Sequence, residues 1–479
     1  MKKILLYLLP LALLTSCVDS LSDYNIDQKR ASSAPPATLF SNAVRNMSDI
    51  LTTPNVNNNN FRLYSQYWTT TTYLDEPRYS MTARLYSQNF WQTIYRDVLS
   101  DLNESKRLIN ADALTAADVK QNQLAQIAIM EVLAWSTLVN TFGDVPYSQA
   151  LDPTKPLPAY DGAATIYDDI LKRLDAAIAA LKPEAAGFSS TADLIYGGKV
   201  ANWKKFGNSL KLRLGMTLAD VDAAKAKTLV EQAAPGVFTA NADNARFVYL
   251  SALPNNNPIS SNANSAFTSR QDFIAANTIV DVMNDLSDPR RPAFFSQIDG
   301  KYIGGLYGFS NAYASFSKIS TKILDPTFEA LFLDYPEVEF LLAEAAERGF
   351  TVTGKAEDHY NNAITASIAY WGGSATDAAT YLAQSKVAYS TAAGTYKQKI
   401  GLQKWIALNN RGWDGWVEWK RLDAPALKPP TGANVPELNI PLRMVYPISE
   451  QSQNTAAYQA ASTAIGSDKT TTKIFWDKN

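Results

Sequence analysis

The chain is 479 residues long, 46% hydrophobic and 19% charged, with a formal net charge of −2 at pH 7. That much apolar material can build a large core, and the near-neutral balance excludes the long-range electrostatic pull of a nucleic-acid binder. His359 is the only histidine and Cys17 the only cysteine, which removes His-rich zinc centres, Cys/His nucleophile pairs and any disulfide within the chain.

Met1-Lys2-Lys3, an apolar run from Ile4 to Leu14, and Thr15-Ser16 precede Cys17. A basic start, a short apolar stretch and small residues at the cut site form a secretory signal. The run is shorter than the ~20 apolar residues that span a bilayer. Leu14-Thr15-Ser16-Cys17 resembles a bacterial lipobox, which implies that Cys17 becomes the first residue of an exported protein and carries the lipid, palmitate included. Residues 1–16 are then the signal peptide and 17–34 a polar, lipidated tether. The body at 35–479 is expected to be a single domain.

The first helix is expected from Pro36 to about Leu51, with Pro54 and the asparagines of 57–60 ending it. Residues 61–84 hold Phe61, Tyr64, Tyr67, Trp68, Tyr73 and Tyr79 among Thr, Gln and Arg. No helical period survives there, so the segment is expected to be irregular. Phe90, Ile94, Val98 and Leu102 then mark one face of a helix over about 85–109. Another helix is expected over 116–142, ended by Gly143 and Pro146. The stripe Ile166, Ile170, Leu174, Ala177, Ile178 and Leu181 gives a further helix, and 203–218 with 223–234 a helix pair.

Residues 247–326 break this pattern. They are rich in Asn, Ser, Pro and Gly, with Tyr302, Tyr307, Phe309, Tyr313 and Phe316 among them. A long, weakly periodic insert of this kind is usually functional. Asp334 next caps a helix that Gly349 ends, and a second helix covers 356–370. Helix, glycine turn and helix with small residues at the crossing is the layout of a tetratricopeptide unit. Its period is not cleanly repeated, so the repeats are degenerate. Trp405, Trp413, Trp416 and Trp419 sit in a helical context and read as packing residues. His359 reads as a helix-surface residue and not as a metal ligand.

Five segments carry a family resemblance: Phe142-Gly143-Asp144-Val145-Pro146-Tyr147; Asp288-Pro289-Arg290-Arg291-Pro292 with Phe294-Phe295; Glu339 to Ala345 with Arg348-Gly349 and Tyr360 to Ile364; Gln403 to Leu408 through Trp416 to Arg421; and Arg443 to Pro447 with Glu450 and Asn454. In this order behind a lipobox, the chain resembles a SusD/RagB-type outer-membrane lipoprotein of Bacteroidetes, of the SusD-like second subfamily. The resemblance implies an all-α fold of degenerate tetratricopeptide-like helix pairs (about 85–235 and 335–372), a loop-rich insert (about 247–326) and few short strands. It implies a non-enzymatic nutrient-binding protein that captures glycan or peptide and passes it to a SusC-like TonB-dependent transporter barrel. The implied location is the outer membrane, at the cell surface, held by the lipid anchor only. Surface-exposed members carry several acidic residues after the lipidated Cys; here only Asp19 and Asp23 stand there, so the periplasmic leaflet stays open as an alternative.

Sugar rings have apolar faces and polar edges, so aromatic side chains can stack on them while polar groups bond the hydroxyls. By analogy with the family's two contact segments, the expected ligand-binding residues are Tyr67, Trp68, Tyr73 and Arg78 from the first, and Tyr302, Tyr307, Phe309 and Tyr313 from the second. Gly304, Gly305 and Gly308 would either let the backbone approach a ligand or merely turn the chain. No catalytic residue or cofactor is expected; the Asp/Asn-rich loops offer calcium-type oxygens without matching a known calcium loop. An exported carbohydrate-active hydrolase and a tetratricopeptide scaffold for protein partners are the alternatives. No carboxylate pair stands out for the first of these.

Overall fold

Pro36 opens the first described helix, at a position where its missing N–H costs nothing. That helix, Pro36–Thr52, buries Phe40, Ala43, Val44 and Met47, the three-and-four spacing of one face. The computed structural model describes residues 34–433 and 435–478. The expected signal peptide, Cys17 and the tether through residue 33 lie outside the described residues.

The next long helix covers 86–111. Its middle, Thr93–Leu99, is π-helical between α-helical turns at Tyr86–Gln92 and Ser100–Ala111. The sequence supplies the reason. Phe90, Ile94, Val98 and Leu102 are all fully buried and repeat every four residues. Four residues of α-helix turn about 400°, so a strict four-residue repeat drifts by about 40° per step. The wider π turn absorbs the drift and keeps all four on the core side.

Ala117–Phe142 is buried on every side over 129–142. It is long and apolar enough to cross a membrane, yet 89% of its most apolar stretch is buried inside the protein. It packs on Ala163–Ala180, which packs on Val200–Thr217, itself paired with Ala223–Ala233. A Cβ at Gly207 would come within 2.7 Å of Ile178, so a small residue sets this crossing. The later pair is Tyr335–Glu347 with Ala356–Tyr370. Asp334 caps the former, accepting the Glu337 N–H at 3.0 Å. These hairpins give the all-α, tetratricopeptide-like architecture that was expected, with three two-stranded ladders among the described residues.

Two of the ladders position the functional face. Ala245–Phe247 pairs antiparallel with Ala330–Leu333 and clasps the root of the insert. Trp68–Thr70 pairs antiparallel with Phe273–Ala275, tying the early aromatic segment to the insert. Residues 61–84 are therefore not wholly irregular: they hold a short helix, Phe61–Tyr64, and that strand. The strand depends on a partner far along the chain, which local periodicity does not register.

The motif residues are internal struts. Arg290 and Asp288 are both buried and form a two-pronged pair at 2.9 and 2.5 Å. Arg443 donates to the Phe142 carbonyl at 3.0 and 2.8 Å, fastening the fifth motif to the first. Trp405, Trp413 and Trp416 are buried, and Trp419 packs half-buried on the core. His359 corrects the expectation of a surface residue. It is only 8% exposed because Glu339, on the neighbouring helix, and the Thr353 carbonyl hold its two ring nitrogens.

Candidate ligand-binding face

The two segments expected to bind ligand do meet. Beyond the Thr70–Phe273 rung the contact continues, with Thr71 N–H donating to the Asp272 carbonyl (3.0 Å) and Thr71 Oγ1 to the Gln271 carbonyl (2.7 Å). The 306–311 loop then folds over the same strand. Asn311 N–H donates to the Thr71 carbonyl (2.9 Å), and its side-chain amide donates to the carbonyls of Thr70 (3.1 Å), Leu306 (3.0 Å) and Phe309 (2.6 Å). Gly308 N–H donates to Thr69 Oγ1 at 3.2 Å, and Arg78 Nε donates to the Gly308 carbonyl at 2.9 Å. Asn311 is the organiser of this junction.

Three of the nominated rings are not available to a ligand. Tyr67 and Trp68 are 0% and 1% exposed, and Tyr307 is 5% exposed. Tyr67 donates its hydroxyl to the Trp405 carbonyl (2.7 Å), and Trp405 Nε1–H donates to the Ser65 carbonyl (2.9 Å). Trp68 lies under the Arg62 guanidinium and against Phe273. Tyr307 donates to the Leu63 carbonyl (2.6 Å). Their hydroxyls and rings anchor the insert to the helical body. A fully buried aromatic side chain contributes packing energy and cannot stack on a sugar.

The other five candidates are exposed or half-buried. Tyr73 is 53% exposed, and Arg78, Tyr302, Phe309 and Tyr313 are half-buried. Each of the four rings has a cation over it: Arg84 on Tyr73 (5.8 Å), Arg291 on Tyr302 (5.3 Å), Arg78 on Phe309 (5.6 Å) and Lys318 on Tyr313 (5.1 Å). Arg84 is paired with the buried carboxylate of Glu76, and Arg270 with Asp272.

Beside Tyr313 opens a pocket of about 360 Å³. Asn264, Thr268, Arg270, Gln271 and Thr321 line it with hydroxyl, amide and guanidinium groups. Sequence reasoning missed these residues, together with Lys318 and Asn311. The Ser/Asn-rich stretch just before the Phe273–Ala275 strand was visible as a loop, but its place beside Tyr313 follows from the long-range strand pairing.

The glycines settle a question that the sequence left open. Gly308 has φ +76°, and a Cβ there would come within 2.6 Å of Pro430. A Cβ on Gly304 would collide with the Asn277 backbone. Both let chain pack on chain rather than on a ligand.

Comparison with known proteins follows the same outline. A family described as "Starch-binding associating with outer membrane" matches residues 28–447. Among solved structures, a chitin-binding protein superposes with a TM-score of 0.80 at 26% identity, over 93% of this chain and 100% of that one. A chitin-binding SusD homolog from Flavobacterium johnsoniae gives 0.78 at 25% identity, over 93% and 99%. A SusD homolog from Bacteroides uniformis gives 0.76 at 25% identity, over 92% and 99%. The curated proteins give no match. With the family pattern covering most of its length and the solved relatives sharing its whole described architecture, this chain belongs to the SusD-like family.

Proposed function

We propose that this protein is a lipid-anchored nutrient-binding lipoprotein of the outer membrane that captures glycan at the face around Tyr73, Arg78, Phe309 and Tyr313. It has no catalytic role in this reading and delivers its ligand to a SusC-like TonB-dependent barrel, with Cys17 as its tether to the cell surface. The observation that carries the reading is the junction itself. The strand Trp68–Thr70 and the 306–311 loop bring exposed rings and a hydroxyl- and amide-lined pocket onto one face. Rings on such a face suit the apolar sides of sugars, and the polar lining suits their hydroxyls. Two structural relatives described as chitin-binding and a family described as starch-binding support glycan over peptide. At this face the Glu76 and Asp272 carboxylates are committed to Arg84 and Arg270, which favours binding over hydrolysis.

Two measurements test this. A binding screen of neutral and acidic oligosaccharides and mixed peptides against the purified protein is expected to give glycan binding without turnover. Peptide binding alone would overturn the glycan assignment. Purification of the tagged protein from outer membranes is expected to bring down a large barrel partner, and its consistent absence would overturn the delivery role.

A further inference from the structure

Three cations that lie over candidate rings meet only neutral oxygens within the protein. Lys318 Nζ, over Tyr313, donates to the Ala314 carbonyl at 3.2 Å. Arg78 donates to the Gly308 carbonyl. Arg291, over Tyr302, donates to the Asp288 carbonyl (2.9 Å) and to Asn284 Oδ1 (3.1 Å). Among the described residues no carboxylate pairs with any of the three. The buried arginines Arg213, Arg290 and Arg411 are by contrast all bound to carboxylates.

The pocket beside Tyr313 is lined by neutral groups and by Arg270, whose guanidinium is paired with Asp272 at 2.5 Å. A neutral sugar presents hydroxyls that donate as well as accept, and a site built for it profits from carboxylate acceptors. A carboxylate or sulfate ester only accepts, and it is matched by ammonium, guanidinium, amide and hydroxyl donors. Burial also holds the Lys318 ammonium below its ordinary pKa range, a displacement that a bound anion would offset.

Building on the glycan reading above, we propose that the ligand is an anionic glycan. Its uronate carboxylate or sulfate ester sits on Lys318, its sugar ring lies against Tyr313, and a further acidic unit reaches Arg78.

Calorimetry on the purified protein at low salt tests this with four probes: an oligogalacturonate, a sulfated galactan oligosaccharide, chitohexaose and maltohexaose. The expected result is that one or both acidic probes bind about tenfold or more tighter than either neutral one, with affinity falling as salt rises. The acidic probe that binds identifies the carboxylate or the sulfate. Lys318→Gln is expected to lower that affinity about tenfold, while Lys318→Arg retains most of it. Neutral probes binding as well as or better than acidic ones would overturn the anionic assignment and leave the glycan reading standing. Failure of all four overturns both. A polyglutamate peptide that outcompetes the acidic sugars would replace the glycan with a protein ligand. Acidic-probe affinity unchanged in both Lys318→Gln and Arg78→Gln would remove the site assignment.

Discussion

Both ring nitrogens of His359 face acceptors: Nδ1 lies 2.7 Å from Glu339 Oε2, and Nε2 2.7 Å from the Thr353 carbonyl. A neutral imidazole has only one N–H, so the doubly protonated ring is the form that satisfies both partners. Burial pulls its pKa down, but the hydrogen bond and charge of Glu339 outweigh burial, and the net displacement is upward from 6.5. The sign of the linkage follows. The stabilisation from His359 is complete below about pH 6.5 and fades as pH rises through the higher folded value. With one histidine in the chain, a single imidazole resonance reports it. Its NMR titration midpoint is expected above 6.5, with thermal stability declining over the same interval and Glu339→Gln flattening both. A midpoint below 6.5 refutes the clamp. The aromatic residues separate in the same concrete way. Trp68→Ala empties a fully buried site and is expected to cost about 3–5 kcal/mol in urea unfolding. Tyr73→Ala removes an exposed ring and is expected to leave stability within about 0.5 kcal/mol while weakening glycan binding. Equal stability losses in the two variants would contradict the division of these rings into anchors and ligand contacts.

At the scale of one helix, the π segment behaves as a single inserted residue. Without one residue between Ile94 and Val98, the buried Phe90, Ile94, Val98, Leu102, Ser105 and Ile109 fall into the three-and-four rhythm of a regular α-helix. Arg96 is the residue to delete. Its side chain is 71% exposed and pairs only with neighbouring Asp97. The deletion is expected to keep the fold and a cooperative melt, with the helix closing to α throughout. Deleting Asn103, by contrast, turns Ser105 and Ile109 about 100° off the core face and is expected to unfold the protein. If the Arg96 deletion is as damaging as that of Asn103, the insertion argument fails. The four-residue spacing was readable in the sequence, as were the helix over 356–370 and the Asp334 cap, because each is written in local period or capping chemistry. The ring positions were not. Tyr67, Trp68 and Tyr73 lie in a stretch with no helical period, so nothing local marks which side is interior. The burial of Tyr67 and Trp68 is decided by the Phe273–Ala275 strand and by Trp405, both distant in sequence. The pocket beside Tyr313 was hidden for the same reason, since its Asn264–Gln271 side and its Tyr313 side come together only in the fold.

Across the whole molecule, buried ion clusters lock helices together, and Glu344, Lys404, Glu418 and Arg421 of the family segments belong to them. Glu337 takes Arg213 in a two-pronged pair (2.7 Å each) and Arg411 at 2.6 Å, while Asp414 and Asp334 flank the same arginines. Glu344 and Glu418 share Arg421, and Glu418 also meets Lys404 at 2.8 Å. These contacts join Val200–Thr217, Tyr335–Glu347, Tyr396–Ala407 and Gly412–Leu422. Removing one partner strands a buried charge, so Arg421→Met alone is expected to cost about 3–5 kcal/mol. The clusters also set the acid limit. Burial raises the carboxylate pKa values, but the arginines outweigh it at Glu337, Glu344 and Glu418, the last held down to about 2 from 4.5. Asp334 and Asp414 go the other way, with burial pushing them up despite Arg411. For the depressed group, stability is present above the unfolded pKa and is lost as pH falls through the folded one. For Glu418 that window runs from about pH 4.5 to about 2. Urea unfolding at stepped pH across it is expected to show stability falling as acid is added, with a shallower fall in Glu418→Gln, which has no carboxylate to protonate there. Asp334 and Asp414, raised from 3.8, oppose the trend as pH falls through their folded values. The comparison therefore rests on the difference in slope between the two proteins and not on either curve alone. Parallel slopes would mean that Glu418 does not carry the acid sensitivity of the cluster.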